Sequence, residues 1–268
     1  MNTQLRSRVI TAAVGIPLLI LIIAWSHPGY FALLVFLITV IGLCEFFFFV
    51  FGDRWKQRLF GVFLGALVSL EILIPGNPEP GIWMSGVIVM AFSTYLFFGG
   101  KLEERYQHLG WTLLGILYIG YLVPHLALIF QYHHGREWVF FLLLVIMSGD
   151  TAGYFAGISL GKKKLYPEIS PAKTVEGALA SLGASVLCGV IGGRFLLPAM
   201  PWIESLLLSS LLSILGQTGD LFESWIKRVF SVKDSSHLLP GHGGLLDRVD
   251  SLIFPAVFTA YYLRVLHP

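Results

Sequence analysis

Charge is scarce in this chain. Of 268 residues, 13% are Asp, Glu, Lys or Arg against 56% hydrophobic, and the mean hydropathy of +0.76 excludes a soluble globule. Cysteine is nearly absent. Cys44 and Cys188 both fall inside apolar runs, where small hydrophobes are expected in place of a disulfide or a metal site. The formal net charge is only +2, with no basic stripe interleaved with aromatics, so no nucleic-acid partner is expected. No polar domain interrupts the apolar runs.

Long apolar segments are abundant instead. Stretches of spanning length lie at about 9–25, 30–51, 58–74, 82–98, 110–130, 138–158, 175–197, 202–219 and 251–266. The expected fold is therefore all-α, a polytopic integral membrane protein with about nine transmembrane helices. Short Pro- and Gly-rich turns such as Ser26-His27-Pro28-Gly29 join neighbouring spans. The first span follows Arg6 and Arg8, but Ala24-Trp25-Ser26 is a poor cleavage site, so this span is read as retained. Alternate loops divide the Lys and Arg residues 15 to 3, the minority being Arg136, Arg194 and Arg264. That asymmetry predicts a cytoplasmic N-terminus, with loops 159–174 and 220–250 cytoplasmic. About five spans in residues 1–135 form an N-terminal region. Residues 136–268 form a catalytic region whose polar cavity faces the cytoplasm.

The rare charges are concentrated. From Ser224 to Asp250 the carboxylates Asp234, Asp247 and Asp250 alternate with Lys227, Arg228, Lys233 and Arg248, around a turn of Gly241-His242-Gly243-Gly244 that lets backbone approach a ligand. Phosphate chemistry with a divalent cation is the first reading. Asp220, Glu223, Ser224 and Lys227 are spaced i, i+3, i+4 and i+7, one face of a helix; that face is either a cavity wall or a solvated row in which Glu223 pairs with Lys227. Asp247 and Asp250, at i and i+3, fit one cation site completed by Asp220. Upstream, Asp150 lies in an apolar span, where an acid marks either a site or a polar contact between helices. Gly153 and Gly157 read as a helix-packing face. Lys162, Lys163 and Lys164 read as topology anchors, whereas Lys173 precedes a helix beginning near Glu176 and fits a phosphate cradle.

The run Ser224-x-x-Lys227-Arg228-x4-Lys233-Asp234-x-Ser236-x2-Leu239-Pro240-x-His242-Gly243-Gly244-x2-Asp247-Arg248-x-Asp250 resembles the signature of the phosphatidate cytidylyltransferases, also called CDP-diacylglycerol synthases. Ser170-Pro171-x-Lys173-Thr174-x-Glu176-Gly177 is similar to the same family. Ala172 departs from the basic residue that many members carry there. The likeness covers the C-terminal half.

The resemblance implies a magnesium-dependent transfer in which the phosphate of phosphatidic acid attacks the α-phosphorus of CTP. Asp220 and Asp247 would hold Mg2+, with Asp250, Asp150 and Glu223 as further acidic groups and K+ as a second cation. Lys227, Arg228, Lys233, Asp234 and Arg248 would serve the transfer, and Lys173, Ser224, His242, Gly243 and Gly244 would bind substrate phosphate. The lipid bilayer houses the acyl chains. The resemblance further implies a homodimer in the inner (plasma) membrane. A CTP-dependent lipid kinase of the dolichol or phytol type and an ion-coupled transporter are the alternatives. The grouped cations and the lack of an inverted repeat speak against the transporter.

Overall fold

The computed structural model describes residues 15, 17–74, 81–97, 101–238 and 243–266, most of them helical. The chain falls into two compact units. The first holds Ser26–Leu128 and Asp234–Asp247, the second Leu19–Trp25, Ile129–Lys233 and the chain from Arg248.

In the first unit, helix α1 (Pro28–Phe51) starts on proline, whose missing N–H costs nothing in the first turn. His27 Nδ1 accepts from the Gly29 amide at 3.2 Å. Helices α2 (Trp55–Leu73), α3 (Ile82–Phe97) and α4 (Leu102–Gly115) follow. After α4 the chain widens into a π-helical segment, Ile116–Tyr121, and then forms the short α5 (His125–Ile129) beyond Pro124. The single span expected at 110–130 is thus a composite, because Pro124 has no N–H to continue the ladder. Between helices in lipid there is no hydrophobic driving force, so close backbone contact has to supply the packing. A Cβ added to Gly120 would lie 2.7 Å from the Gly65 carbonyl oxygen, so α2 and the π segment touch backbone to backbone. Buried Glu71 answers the start of α3, accepting from the amides of Gly81 and Trp83 at 2.8 Å each and Met84 at 3.0 Å.

The second unit contains α6 (Gly135–Ser159), an antiparallel hairpin of β1 (Lys164–Tyr166) and β2 (Ser170–Thr174), then α7 (Val175–Leu196), α8 (Trp202–Val229) and α9 (Leu246–Leu266). The hairpin adds a small strand pair to a fold expected to be all-α. It pairs Lys164 with Thr174 and Tyr166 with Ser170, satisfying backbone that has left the helices. Thr174 caps α7 by accepting from the Gly177 amide at 3.1 Å. Small residues form the seam between α6 and α7. Ser185 Oγ donates to the Val145 carbonyl at 2.8 Å, and a Cβ on Gly177 would sit 2.8 Å from the Gly153 carbonyl oxygen.

Among the described residues six helical stretches are long and apolar enough to cross a membrane: Pro28–Phe51, Leu102–Ile129, Gly135–Ser159, Val175–Leu196, Trp202–Val229 and Leu246–Leu266. The protein is an all-α polytopic membrane protein in its architecture. Of the nine expected spans, 82–98 corresponds to the shorter apolar α3, and 58–74 to α2, which carries Lys56, Arg58 and Glu71. Residues 17–25 are helical at the end of the first expected span. The expected loop 220–250 is helical up to Val229 and again from Leu246.

The α6–α7 seam gives a stability test. Gly177→Val forces a side chain onto an immovable carbonyl and is expected to cost about 1–3 kcal/mol, whereas Gly183→Ala, on the same helix with nothing within 4 Å of the added methyl, should not. Thermal unfolding in detergent measures both; equal effects would show that the seam is not close-packed.

Candidate active site

Helix α8 delivers the polar face that its spacing predicted. Its backbone meets α9 at Gly219, where a Cβ would come within 2.6 Å of the Asp250 carbonyl oxygen. That approach puts Asp220 and Asp250, one on each helix, into the same neighbourhood. Asp220 Oδ2 pairs with Lys173 Nζ at 2.6 Å, and its Oδ1 accepts from Ser224 Oγ at 3.4 Å. Lys173 stands immediately before the Thr174 cap of α7, as the Ser170-Pro171 break implied. Asp150 on α6 accepts from Ser251 Oγ of α9 at 3.0 Å and feels the charges of Asp220, Lys173 and Arg248. Asp250 is buried and takes the Ser251 amide at 2.7 Å. Glu223 in turn pairs with Lys227 at 3.2 Å, with side chains 1% and 9% exposed.

The solvated-row alternative for Glu223 and Lys227 is therefore replaced by a buried pair. Three acids, Asp150, Asp220 and Asp250, gather with Lys173, Lys227 and Arg248 in a structure otherwise built of apolar side chains. Asp250 and Lys227 are buried, Asp220 and Lys173 half-buried, and Asp150 and Arg248 exposed, so the fixed charges run from the interior out to where a phosphate group can meet them.

The other predicted residues divide as follows. Arg228 holds backbone: its Nε donates to the Ile169 carbonyl at 3.0 Å and its Nη1 to Val232 at 3.2 Å, tying the β1–β2 turn to the end of α8. Lys233 is exposed. Lys162 and Lys163 present their amides to Glu176, at 3.0 Å for Lys162 and 3.2 Å for the nearer oxygen of Lys163. In the first unit, Asp234 is exposed, and Asp247 Oδ2 accepts from the Ser235 amide at 2.9 Å, Ser235 Oγ at 3.1 Å and the Gly244 amide at 2.8 Å. Gly243 has φ of +82°, open to glycine at no cost, and a Cβ there would lie 2.8 Å from Asp247 Oδ2. His242 lies outside the described residues.

Two participants were missed. Ser251 follows Asp250 directly and fastens Asp150. Glu45 on α1 takes four hydrogen bonds from the segment 235–246. Its signal was present: an acid inside a phenylalanine-rich run, the same rule that singled out Asp150.

A family model described as the cytidylyltransferase family matches residues 6–266. The chain belongs to the cytidylyltransferase family. Among the relatives of this cytidylyltransferase, a phosphatidate cytidylyltransferase of Bacillus subtilis (strain 168) is 34% identical over 279 residues, covering 98% of each chain. Another of that name, from Staphylococcus epidermidis, is 34% identical over 200 residues, 71% of this chain and 74% of its own. A third, from Brucella suis, is 43% identical over 148 residues, 55% of this chain and 54% of its own.

The buried pair is testable. Lys227→Met strands Glu223 and Asp250 and is expected to cost about 3–5 kcal/mol, with Glu223→Gln on the same chain recovering part of the loss. Thermal unfolding of both variants measures this; a Lys227→Met protein as stable as the parent would show that the pair is not buried.

Proposed function

We propose that this cytidylyltransferase joins CTP and phosphatidic acid to give CDP-diacylglycerol and pyrophosphate, as the names of its relatives indicate for them. The observation that carries the reading is the Lys173–Asp220 pair at the start of α7, with Asp150 and Asp250 beside it. An anionic lipid must attack an anionic nucleotide, and such chemistry needs positioning and charge neutralisation above all.

The acids suit a hard divalent cation. Among the described residues no three Asp, Glu, His or Cys side chains converge as a metal-binding group. Magnesium is held through one or two carboxylates and the substrate's own phosphate oxygens in place of an all-protein cage. In this reading Asp220 would hold the ion, with Asp150 and Asp250 beside it as further acidic groups, and Asp247 is assigned to the ion from its place in the motif. When bound, magnesium neutralises the nucleotide phosphates. Glu223 tempers this set through Lys227, and K+ is the second cation of the reading.

The phosphate of phosphatidic acid is already ionised near neutral pH. One of its oxygens bonds to the α-phosphorus of CTP while the bond from that phosphorus to the bridging oxygen of the β-phosphate breaks, and the electron pair leaves with pyrophosphate. No side chain has to remove a proton, so His242 is assigned to orientation within its glycine turn. Lys173, Lys233 and Arg248 would present cations to the phosphates and Ser224 a hydroxyl, while Gly243, Gly244 and Asp234 are assigned to the reaction from their place in the motif. Lys227 and Arg228 fix the walls through Glu223 and the hairpin carbonyls. Residues 136–268 form the catalytic region of this reading. The bias of Lys and Arg supports a cytoplasmic site on the inner membrane, where the nucleotide is dissolved. A homodimer belongs to the same proposal.

Pyrophosphate release by the detergent-purified protein should require magnesium, CTP and phosphatidic acid together and yield CDP-diacylglycerol. Chelation should stop it and magnesium restore it. Turnover of a polyprenol with CTP, and none of phosphatidic acid, would overturn the assignment. Asp220→Asn should lose about 10²–10³-fold in kcat, while Lys163→Ala should stay within about twofold, as for a surface substitution. Substantial activity in Asp220→Asn would remove that residue from the metal site.

A further inference from the structure

Segment 234–247 of the first unit carries Asp234, Gly243, Gly244 and Asp247. A segment with so many polar groups holds one geometry only if each is satisfied. Much of that satisfaction comes from a residue 190 positions away in sequence, at the far end of α1. Glu45 is 6% exposed. Its Oε1 accepts from Ser236 Oγ at 2.6 Å and the Leu245 amide at 2.9 Å; its Oε2 accepts from Ser235 Oγ at 3.0 Å and the Leu246 amide at 2.8 Å.

These donors have a common origin. Leu246 is the first residue of α9, so its amide is one of the four that a helix start leaves without an internal partner. Glu45 supplies that partner from another helix and puts a negative charge at the positive end of α9. Ser235 Oγ also reaches Asp247 Oδ2 at 3.1 Å, so one hydroxyl stands between two carboxylates. Gly244 is caught in the same knot: a Cβ there would lie 2.7 Å and 2.8 Å from the two Glu45 oxygens. Any side chain at 244 and any shift of Glu45 therefore disturb the same turn, and Asp247 is bonded directly to it.

We infer that Glu45 is a positioning residue for the transfer reaction: its carboxylate locks the Ser235–Ser236 turn and the Leu245–Leu246 start of α9, and so fixes the orientation of Asp247. It touches no substrate and acts through the loop. This inference rests on the reading of the protein as a CTP:phosphatidate transferase.

The charge matters as well as the shape. In Glu45→Gln, one acceptor oxygen becomes an NH2 group facing one hydroxyl and one backbone amide, and the amide cannot turn away. Glu45→Asp keeps both acceptors and the charge on a stem one methylene shorter. Ser236→Ala removes one donor to Glu45 and the acceptor of the Leu238 amide at 3.1 Å, and leaves the Ser235, Leu245 and Leu246 donors to Glu45 in place.

The experiment measures kcat and KM for each substrate, thermal unfolding, and hydrogen exchange of residues 233–247 in all three variants beside the parent. Glu45→Gln is expected to lower kcat by about 10–100-fold, the scale of a small misplacement of reacting groups, and to speed exchange in 233–247 without changing α2 and α3. Glu45→Asp should recover part of the kcat. Ser236→Ala should show a smaller loss of the same kind, with KM for phosphatidic acid unchanged. Parent-like kcat in Glu45→Gln, or exchange in 233–247 that does not change, would overturn the inference. So would a loss in Glu45→Gln that tracks only a fall in overall stability and that Glu45→Asp does not relieve. Should Glu45→Gln not fold, Ser236→Ala decides: unchanged kcat and exchange there overturn the inference. If the parent itself does not turn over CTP and phosphatidic acid, the functional reading fails on its own. The exchange data then still show whether Glu45 holds the loop, and the catalytic part of the inference is overturned with that reading.

Discussion

A carboxylate buried among apolar helices has no water to answer it, and the cost of leaving it unanswered exceeds almost any packing gain. Among the described residues Glu45, Glu71, Glu223 and Asp250 are buried acids. Two of them are answered by backbone. Glu71 takes three amides at the start of α3, and Glu45 takes two amides and two hydroxyls at the start of α9. In both cases a helix N-terminus and a carboxylate solve each other's problem, since unpaired amides are as costly in an apolar setting as an unpaired anion. Glu223 is answered by a cation, Lys227, and Asp250 shares that electrostatic environment. The first kind of answer consumes the acid's bonding capacity and builds structure. The second leaves charge in tension with charge, and an arriving phosphate or metal ion can redistribute it.

That division explains how much could be read from residues alone. The helical architecture was legible because apolar runs of spanning length admit few alternatives. Asp220, Glu223, Ser224 and Lys227 were legible as one face because a 3.6-residue period needs no tertiary information, and α8 runs unbroken through all four. The start of α7 was legible from Ser170-Pro171 and Glu176 for the same reason, although its cap, Thr174, was not singled out. What escaped was pairing at a distance. Nothing in the local pattern says that Glu45 meets Ser235 or that Arg228 meets the carbonyl of Ile169. The break of the 110–130 run into two helical forms also escaped, although Pro124 marked the place.

Packing in the second unit bears on the chemistry. Helices in lipid gain nothing from apolar contact with one another, so α6, α7, α8 and α9 approach through glycines and serines. The same closeness that replaces hydrophobic association carries Asp150 to within 3.0 Å of Ser251 and puts the Gly219 backbone against the Asp250 carbonyl. Larger residues along these seams would separate the helices and spread the acids apart. The small residues are thus a condition for concentrating charge, and their abundance in Gly149–Gly157 and Gly177–Gly193 belongs to the site as much as to the fold.

A transferase that brings two anions together gains from fixing its cations before either anion arrives, because orienting flexible lysines during the reaction would cost reorganisation energy at the moment of transfer. Lys173 shows how that is done. The Ser170–Thr174 strand and the Thr174 cap fix its backbone, and Asp220 holds its ammonium at 2.6 Å. Arg228, bonded to Ile169, fastens the turn at the other end of the same strand. A cation so placed is already held by a carboxylate, which fixes its position without consuming all of its donors.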